Sequence, residues 1–271
     1  MRLVLPVVLA ATFLAGSTSS ARLASNRLAS NRLASNRLAS NRLASNRLSS
    51  NKLDPSQLDA NDLVLTADGR DVLSYLIGCA LPADVTLHAD VDGQTYDFPG
   101  NLGLAPRWVT HRLSGKDKRW ISACMLARIN AHDTAEAISL RGPNAALTVG
   151  IDEAALYTVV EGSFYGNIFT KDPDPIIWIA CRGEGQAMGE FGGLVDRDCT
   201  EPDPVNPGLT QCGFTSAGDC ADYTPAFPSP YACEDTSVTG GYYEKCHDAP
   251  GVGKWPHTKK YKEVITTFVT P

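Results

Sequence analysis

Cys124 occupies a position from which a thiol could act as a nucleophile. It follows Trp120-Ile-Ser-Ala near the start of a predicted helix, and a helix N-terminus favours the thiolate over the thiol. The general base would be one of three histidines, at positions 132, 247 and 257. The alternative is a disulfide between Cys124 and Cys79, which the even number of cysteines favours.

A second candidate is the segment Glu161-Gly-Ser-Phe-Tyr-Gly-Asn167, which is polar at both ends and aromatic in the middle. Glu161, Tyr165 and Asn167 could line a groove, because glycans are held by aromatic platforms together with carboxylate and amide hydrogen bonds. The alternative is a strand with turn glycines and a solvated glutamate. The segment lacks the Gly-x-Ser-x-Gly pattern, so Ser163 is not predicted to be a nucleophile.

The sequence predicts no metal site and no cofactor. The five histidines lack the His-x-His and His-Glu-x-x-His spacings of zinc sites. Acidic residues crowd around Cys199 without the spacing of an EF-hand, which favours a solvated acidic loop. The glycines at 183, 185 and 189 miss the dinucleotide-binding fingerprint by one residue.

Two helices and a hairpin are predicted before residue 131. The first helix is capped by Asp68 and runs over 68–80. The second covers 117–130, and apolar residues around much of its circumference indicate a buried, central helix. Between them, apolar residues alternate with polar ones on both sides of an Asp92-Gly93 turn, so we expect a β-hairpin with His88 and Asp97 paired across its outer face.

Beyond the second helix the pattern becomes typical of strands. Predicted strands lie at 137–141, 146–149, 157–160, 164–169 and 176–180, with a closing strand at 260–269. Residues 183–255 are rich in Gly, Pro and Cys, which indicates an irregular lobe. The predicted fold class is therefore α+β: one disulfide-braced globular domain over 64–271, with a buried helix, a β-hairpin and a mixed or antiparallel sheet.

The cysteines predict a disulfide framework in an oxidising compartment. All eight follow residue 64: Cys79, Cys124, Cys181, Cys199, Cys212, Cys220, Cys233 and Cys246. Proximity along the chain favours Cys79–Cys124 and Cys181–Cys199, with the last four cysteines pairing among themselves.

The N-terminus predicts export. Arg2 precedes an apolar run that ends at Leu14, too short to span a bilayer, and Ala15-x-Ser17 is a small-x-small cleavage site. Residues 1–17 are therefore predicted to be a signal peptide. Ser17 stands where a lipoprotein signal requires Cys, so we expect an extracellular, periplasmic or cell-surface product without a lipid anchor or a transmembrane segment.

Residues 18–63 are predicted to form a basic arm with a five-residue period. Arg-Leu-Ala-Ser-Asn occurs five times from Arg22, and leucine keeps the period to Leu63. Residues 1–53 contain no acidic residue, whereas the whole chain has a net charge of -6. The arm could attach to an anionic polymer or fold back on its own domain. The cations available for attachment are Arg22, Arg27, Arg32, Arg37, Arg42, Arg47 and Lys52.

The arm resembles the pentapeptide-repeat β-helix in its leucine rhythm. That family favours a small residue two positions before the leucine, and here six of these positions hold asparagine: Asn26, Asn31, Asn36, Asn41, Asn46 and Asn51. A flexible polar tether is the alternative.

Several strings in the domain resemble a family of uncharacterised exported bacterial proteins with repetitive N-terminal arms. They are Leu-Ile-Gly-Cys79-Ala-Leu-Pro, Gly103-Leu-Ala-Pro-Arg-Trp, Arg119-Trp-Ile-Ser-Ala-Cys124, Glu161-Gly-Ser-Phe-Tyr-Gly-Asn, Ala180-Cys-Arg-Gly183 and Cys212-Gly-Phe with Gly218-Asp-Cys220. This resemblance implies the architecture of an exported domain with an arm, and it transfers no catalytic residue.

Three functional hypotheses follow. The first is a secreted or envelope-associated binding protein, whose arm attaches to an anionic polymer and whose domain recognises a ligand such as a glycan. The second is a secreted hydrolase that uses Cys124 or a carboxylate such as Glu161. The third is a structural matrix component. Nothing indicates specific binding to nucleic acid, because the arm has no aromatic residue to stack on bases.

Overall fold

Residues 23–26, 41–53, 58, 61–129, 136–171, 173–183, 199–221, 232–234, 241–247 and 259–271 are described by the computed structural model. Its α-helices are α1 (Arg42–Ser49), α2 (Asp62–Leu65), α3 (Ala67–Ala80), α4 (Gly115–Ala127) and α5 (Ile151–Leu156). Short 3₁₀ helices cover Pro106–Val109 and Ala145–Leu147. No helix in these ranges is long and apolar enough to cross a bilayer.

The cap of α3 differs from the prediction. Thr66, not Asp68, is the N-cap residue, and its Oγ1 accepts a hydrogen bond of 3.0 Å from Gly69 N. Thr66 has the extended backbone of an N-cap, whereas Asp68 already lies in the first turn.

The prediction of a buried, central second helix is confirmed by α4, which begins at Gly115. Ser114 caps it in a capping box with Asp117, and every residue from Trp120 to Ala127 is buried. The reciprocal bonds of the capping box satisfy two backbone N–H groups, so they fix the start of the helix.

The strands form one large sheet and two small ones. They are β1 (Leu23–Asn26), β2 (Thr86–Val91), β3 (Gln94–Pro99), β4 (Glu136–Arg141), β5 (Val159–Asn167), β6 (Ile177–Arg182), β7 (Thr215–Asp219), β8 (Cys246–His247), β9 (Lys260–Tyr261) and β10 (Ile265–Val269). The six-stranded sheet has the order β1-β4-β10-β5-β6-β7. Only β6 and β7 pair in parallel within it, so the sheet is mixed, and the α+β class is confirmed.

The hairpin prediction is confirmed by β2 and β3, which form a two-stranded sheet of their own. His88 lies opposite Asp97 in the register, and His88 Nδ1 is 2.7 Å from Asp97 Oδ1 on the exposed face. Asp92 adopts a φ of 51° in the turn, a conformation that Asp tolerates better than most residues.

Other predicted strands need correction. Residues 146–149 form no strand, because Asn144 Oδ1 accepts from Ala146 N and caps a 3₁₀ turn there. The strands predicted at 157–160 and 164–169 are one continuous strand, β5. The predicted closing strand is divided between β9 and β10, which belong to different sheets.

The large sheet separates two layers of side chains. Phe164 on β5 points into the main core, which holds α3 and α4, and Ile168 N donates to Ser122 Oγ of α4 at 3.0 Å. Tyr165 points to the opposite face, where it packs on Tyr261 of β9 in a cluster with cysteines of the lobe. The sheet therefore lies between two layers: one holds the helices together with Cys199, Cys212 and Phe214 of the lobe, and the other holds Cys220, Cys233 and Cys246.

Four disulfides brace the fold, and no described cysteine is free. Cys79–Cys124 confirms the first predicted pair and links α3 to α4. The predicted Cys181–Cys199 pair is wrong, and so is pairing of the last four cysteines only among themselves. The remaining pairs are Cys181–Cys220, Cys199–Cys212 and Cys233–Cys246. The parallel pairing of β6 with β7 brings Cys220 beside Cys181, which proximity along the chain could not reveal.

Leucines of the five-residue period lie in the main core. Leu48, Leu53, Leu58 and Leu63 are at most 6% exposed and belong to the same cluster as α3 and α4. Residues 41–53 therefore pack with the domain.

Candidate functional site

The residues of the predicted glycan groove lie on β5, where a β-bulge occurs at Glu161. Glu161 and Tyr165 are buried there, and the Tyr165 hydroxyl donates to the carbonyl oxygen of His247 at 2.9 Å. Asn167 is half-buried, and its Oδ1 accepts from Phe169 N at 3.1 Å. Tyr165 is covered by the cysteine-rich lobe and Glu161 is 2% exposed, so these two side chains present almost no surface to solvent.

The glycines of this segment are required by close packing or by backbone conformation. A Cβ on Gly162 would lie 2.3 Å from the carbonyl oxygen of Cys181, and Gly166 has a φ of 143°. Both positions therefore need glycine because of close approach to β6 or backbone conformation.

Cys124 lies at the centre of the protein with its sulfur in the disulfide to Cys79. A disulfide sulfur is not a thiolate, so in this state Cys124 offers no nucleophile. Of the three histidines considered as its base, His247 pairs with Glu234 at 3.2 Å; His132 and His257 lie outside the described residues.

Three cysteine sulfurs, from Cys181, Cys220 and Cys233, lie within 4.8 Å of one another. Cys181 and Cys220 form one disulfide, and Cys233 belongs to another. The cluster arises from two disulfides packed side by side, and oxidised sulfurs are not thiolate ligands for a metal.

A cleft of about 600 Å³ lies between the 3₁₀ helix Pro106–Val109 and the start of α4. Arg107, His111 and Arg112 line it, together with the carboxylate of Asp117. Thr110 Oγ1 donates to the carbonyl oxygen of Arg107 at 3.0 Å and lies 2.8 Å from His111 Nδ1. Because the hydroxyl has only one proton, His111 Nδ1 donates to Oγ1, and a neutral His111 can then accept from Arg107 Nη2 at 3.5 Å through Nε2.

Lys118 extends the positive charge beyond this cleft. Burial lowers the pKa of the Lys118 ammonium group, and the charges of Lys171 and Arg112 lower this pKa further. None of these three cations forms an ion pair with a carboxylate in the described parts of the chain. Neighbouring like charges oppose folding, and such arrangements concentrate at functional sites. We refer to Arg107, His111, Arg112, Lys118 and Lys171 as the basic patch.

The C-terminal part of the arm contacts the segments that carry the basic patch. Leu53 N donates to the carbonyl oxygen of Trp108 at 2.8 Å, and Trp108 Nε1 donates to the carbonyl oxygen of Asn51 at 3.2 Å. Asn46 Nδ2 donates to the carbonyl oxygen of Thr170 at 2.8 Å, directly before Lys171. The arm and the basic patch are therefore adjacent.

The predicted cations of the arm have different surroundings. Arg47 pairs with Asp62, and both side chains are more than half exposed. Lys52 is exposed beside Leu53. The side chains of Arg22, Arg27, Arg32, Arg37 and Arg42 lie outside the described residues.

The basic patch was not predicted from the sequence. Its signal is the concentration of cations over residues 107–119, where Asp117 is the only acidic residue. Lys171 is more than fifty residues away, and only the fold brings it to Lys118.

The chain matches no protein-family model, no curated protein and no solved structure at a significant level.

Proposed function

We propose that this is an exported, envelope-associated binding protein that holds an anionic polymer between its basic arm and the basic patch. The proposal is supported by one observation above all: Arg112 and Lys171 lie close enough to Lys118 to lower its pKa, and none of the three forms an ion pair in the described parts of the chain. An anionic polymer would remove this repulsion, and its repeated charges match a patch that continues into the arm. Four disulfides fit the oxidising compartment that export implies.

Replacing Arg112 and Lys171 together tests the patch. Both are exposed, so Arg112→Gln with Lys171→Gln removes two charges without opening the core. Each exposed charge contributes up to about 1 kcal/mol, so we expect the affinity for alginate or polyphosphate to fall about fivefold to tenfold at low salt. Affinity is measured by retention of the full chain on immobilised polymer, with dextran as the neutral polymer.

The matched control is Lys259→Gln with Lys262→Gln, which removes two exposed charges outside the basic patch. We expect this control to retain most of its affinity. If the two double variants lost the same amount of affinity, the loss would depend only on the net charge of the protein, and the assignment of the binding site to the basic patch would be wrong. A preference between alginate and polyphosphate distinguishes a carboxylate polymer from a phosphate polymer.

The contribution of the arm is tested by replacing Arg22, Arg27, Arg32 and Arg37 with Gln. Deletion of residues 22–53 is unsuitable, because it would also remove Leu48 and Leu53 from the core. We expect the fourfold variant to bind the polymer with lower affinity and a weaker dependence on ionic strength, because fewer exposed charges are screened by salt. Unchanged binding would exclude the arm from the site.

A further inference from the structure

Arg141, the last residue of β4, is a buried cation with an incomplete set of partners. Its side chain is on the sheet face opposite Leu140, and the residue is 7% exposed. Nε donates to Ser139 Oγ at 3.2 Å, and Nη2 donates to the carbonyl oxygen of Tyr157 at 2.5 Å. The guanidinium carbon lies 3.7 Å from the centroid of the Phe268 ring. These hydrogen bonds use only part of the five N–H donors that an arginine carries.

The charge of Arg141 is only partly balanced. Burial lowers the pKa of its guanidinium group, and the nearby charge of Glu153 opposes that effect. Glu153 forms no ion pair with Arg141, and its Oε1 is buried without a hydrogen-bond partner in the described structure. A desolvated guanidinium without a bidentate carboxylate is unfavourable in the free protein and favourable for binding an anion.

Arg141 lines a cleft of about 550 Å³ between the loop 142–149 and Tyr242. Asn144 and Thr148 contribute polar groups to the lining, whereas Leu147 and Val149 contribute apolar ones. Asn144 Oδ1 accepts from Ala146 N at 3.0 Å, which leaves its two amide N–H donors for another partner. The size of the cleft and its mixture of one cation with polar and apolar groups are typical of sites for small molecules.

We propose that this cleft binds the carboxylate group of a small, partly apolar organic acid, with Arg141 as the cation and Asn144 as a second donor. A single planar guanidinium matches a carboxylate with its two oxygens. A phosphate would be expected to need further cations or a cluster of backbone N–H groups. This site is separate from the basic patch and does not depend on polymer binding.

Benzoate, benzamide and inorganic phosphate are suitable probes, with binding to the full chain measured by titration calorimetry and NMR. Benzamide has nearly the shape of benzoate without its charge. We expect benzoate to bind at least about tenfold more tightly than benzamide, because hydrogen bonds between a guanidinium and a carboxylate are roughly twice as strong as those between neutral groups. We expect phosphate to bind more weakly than benzoate. Equal affinity for benzoate and benzamide, or tighter binding of phosphate, would overturn the proposal.

Variants locate the site. Arg141→Gln should abolish benzoate binding, but it also removes the hydrogen bond from Arg141 to the carbonyl oxygen of Tyr157. Asn144→Ala therefore provides a second test in which the cation is retained. This variant should weaken benzoate binding severalfold. Glu153→Gln should tighten binding, since it removes a negative charge beside the guanidinium. Asp152→Asn makes the same change in charge at the neighbouring exposed residue and should have a smaller effect. Benzoate binding that is the same in Asn144→Ala and Glu153→Gln as in the wild type would exclude this cleft.

Discussion

Among the described residues, Glu234 has a pKa that is strongly lowered by its hydrogen-bond partners. Its Oε1 accepts from Lys260 Nζ at 2.5 Å, and Lys245 and His247 each approach the same carboxylate at 3.2 Å. The hydrogen bond from Lys260 is the largest cause that lowers the pKa of Glu234, from 4.5 to about 2. This carboxylate therefore links the cysteine-rich lobe to β9.

We expect Glu234→Gln to destabilise the protein in a pH-dependent manner. Because the folded-state pKa is lower than the unfolded one, the carboxylate stabilises the fold fully above about pH 4.5, and this contribution is lost as the pH falls towards 2. The expected loss at pH 7 is about 1 kcal/mol, since the lysine partners are exposed to solvent.

Urea unfolding of both proteins with disulfides intact measures this effect. The difference in unfolding free energy should be present at pH 7 and should narrow between pH 4.5 and 2. Glu244→Gln changes an exposed carboxylate in the same segment and serves as the control. A difference that stays constant over this pH range would contradict the assignment.

At the scale of elements, the arm shows how tertiary context determines secondary structure. The tetrapeptide Leu-Ala-Ser-Asn forms strand β1 at 23–26 and part of helix α1 at 43–46. In the first case it pairs with the edge of β4, and in the second Ala44 packs in the main core. No propensity of these four residues could distinguish the two states.

The leucines of the five-residue period test this integration. Leu63 is fully buried, whereas Leu65 in the same helix, α2, is 57% exposed. We expect Leu63→Ala to lower the free energy of unfolding by ~2–5 kcal/mol, because it leaves a cavity. Leu65→Ala should change it by less than about 0.5 kcal/mol. Similar effects in the two variants, measured by chemical unfolding, would show that Leu63 does not lie in the core.

Local patterns predicted the elements whose determinants lie close together in sequence. The Asp92-Gly93 turn and the alternation around it were sufficient for the hairpin and for the His88–Asp97 pair. The apolar residues around much of the circumference of α4 were sufficient to predict that this helix is buried. The order of the large sheet was not predictable, because it depends on long-range pairing such as that of β10 with β5.

The candidate sites show the same division. The pattern at Glu161–Asn167 identified a constrained strand, but its burial depends on a lobe whose position no local pattern encodes. Arg141 belongs to a predicted strand, and nothing in its neighbours along the chain indicates that Phe268 lies beneath it or that Tyr242 lies across a cleft from it.

At the scale of the whole molecule, the disulfides brace separate parts of the fold. Cys79–Cys124 joins two helices of one layer, whereas Cys181–Cys220 joins the ends of paired strands. The two disulfides of the lobe that contain Cys181 and Cys233 are in contact, with these two sulfurs 3.5 Å apart. A pairing that is read from proximity alone is therefore ambiguous in this lobe.

Disulfide mapping of the oxidised protein tests this network. Digestion under acidic, non-reducing conditions should yield linked peptides for Cys181–Cys220 and Cys199–Cys212, and alkylation before reduction should modify no cysteine. A Cys181–Cys199 peptide would contradict the arrangement of β6 and β7. A reproducibly alkylated Cys124 would restore a free thiol in the main core and the hypothesis of a thiol-dependent hydrolase.

The edge of the large sheet has a further consequence. The tetrapeptide that pairs with β4 occurs again, unchanged, at 28–31 and 33–36. A shift by one repeat brings identical residues to the same edge, so the pairing itself cannot select among these registers. The registers differ in the number of residues between the paired tetrapeptide and α1, and loop-closure entropy varies slowly with that number. We therefore expect the length of chain that precedes β1 to be adjustable in steps of five residues, with the same residue types at the sheet edge at every step.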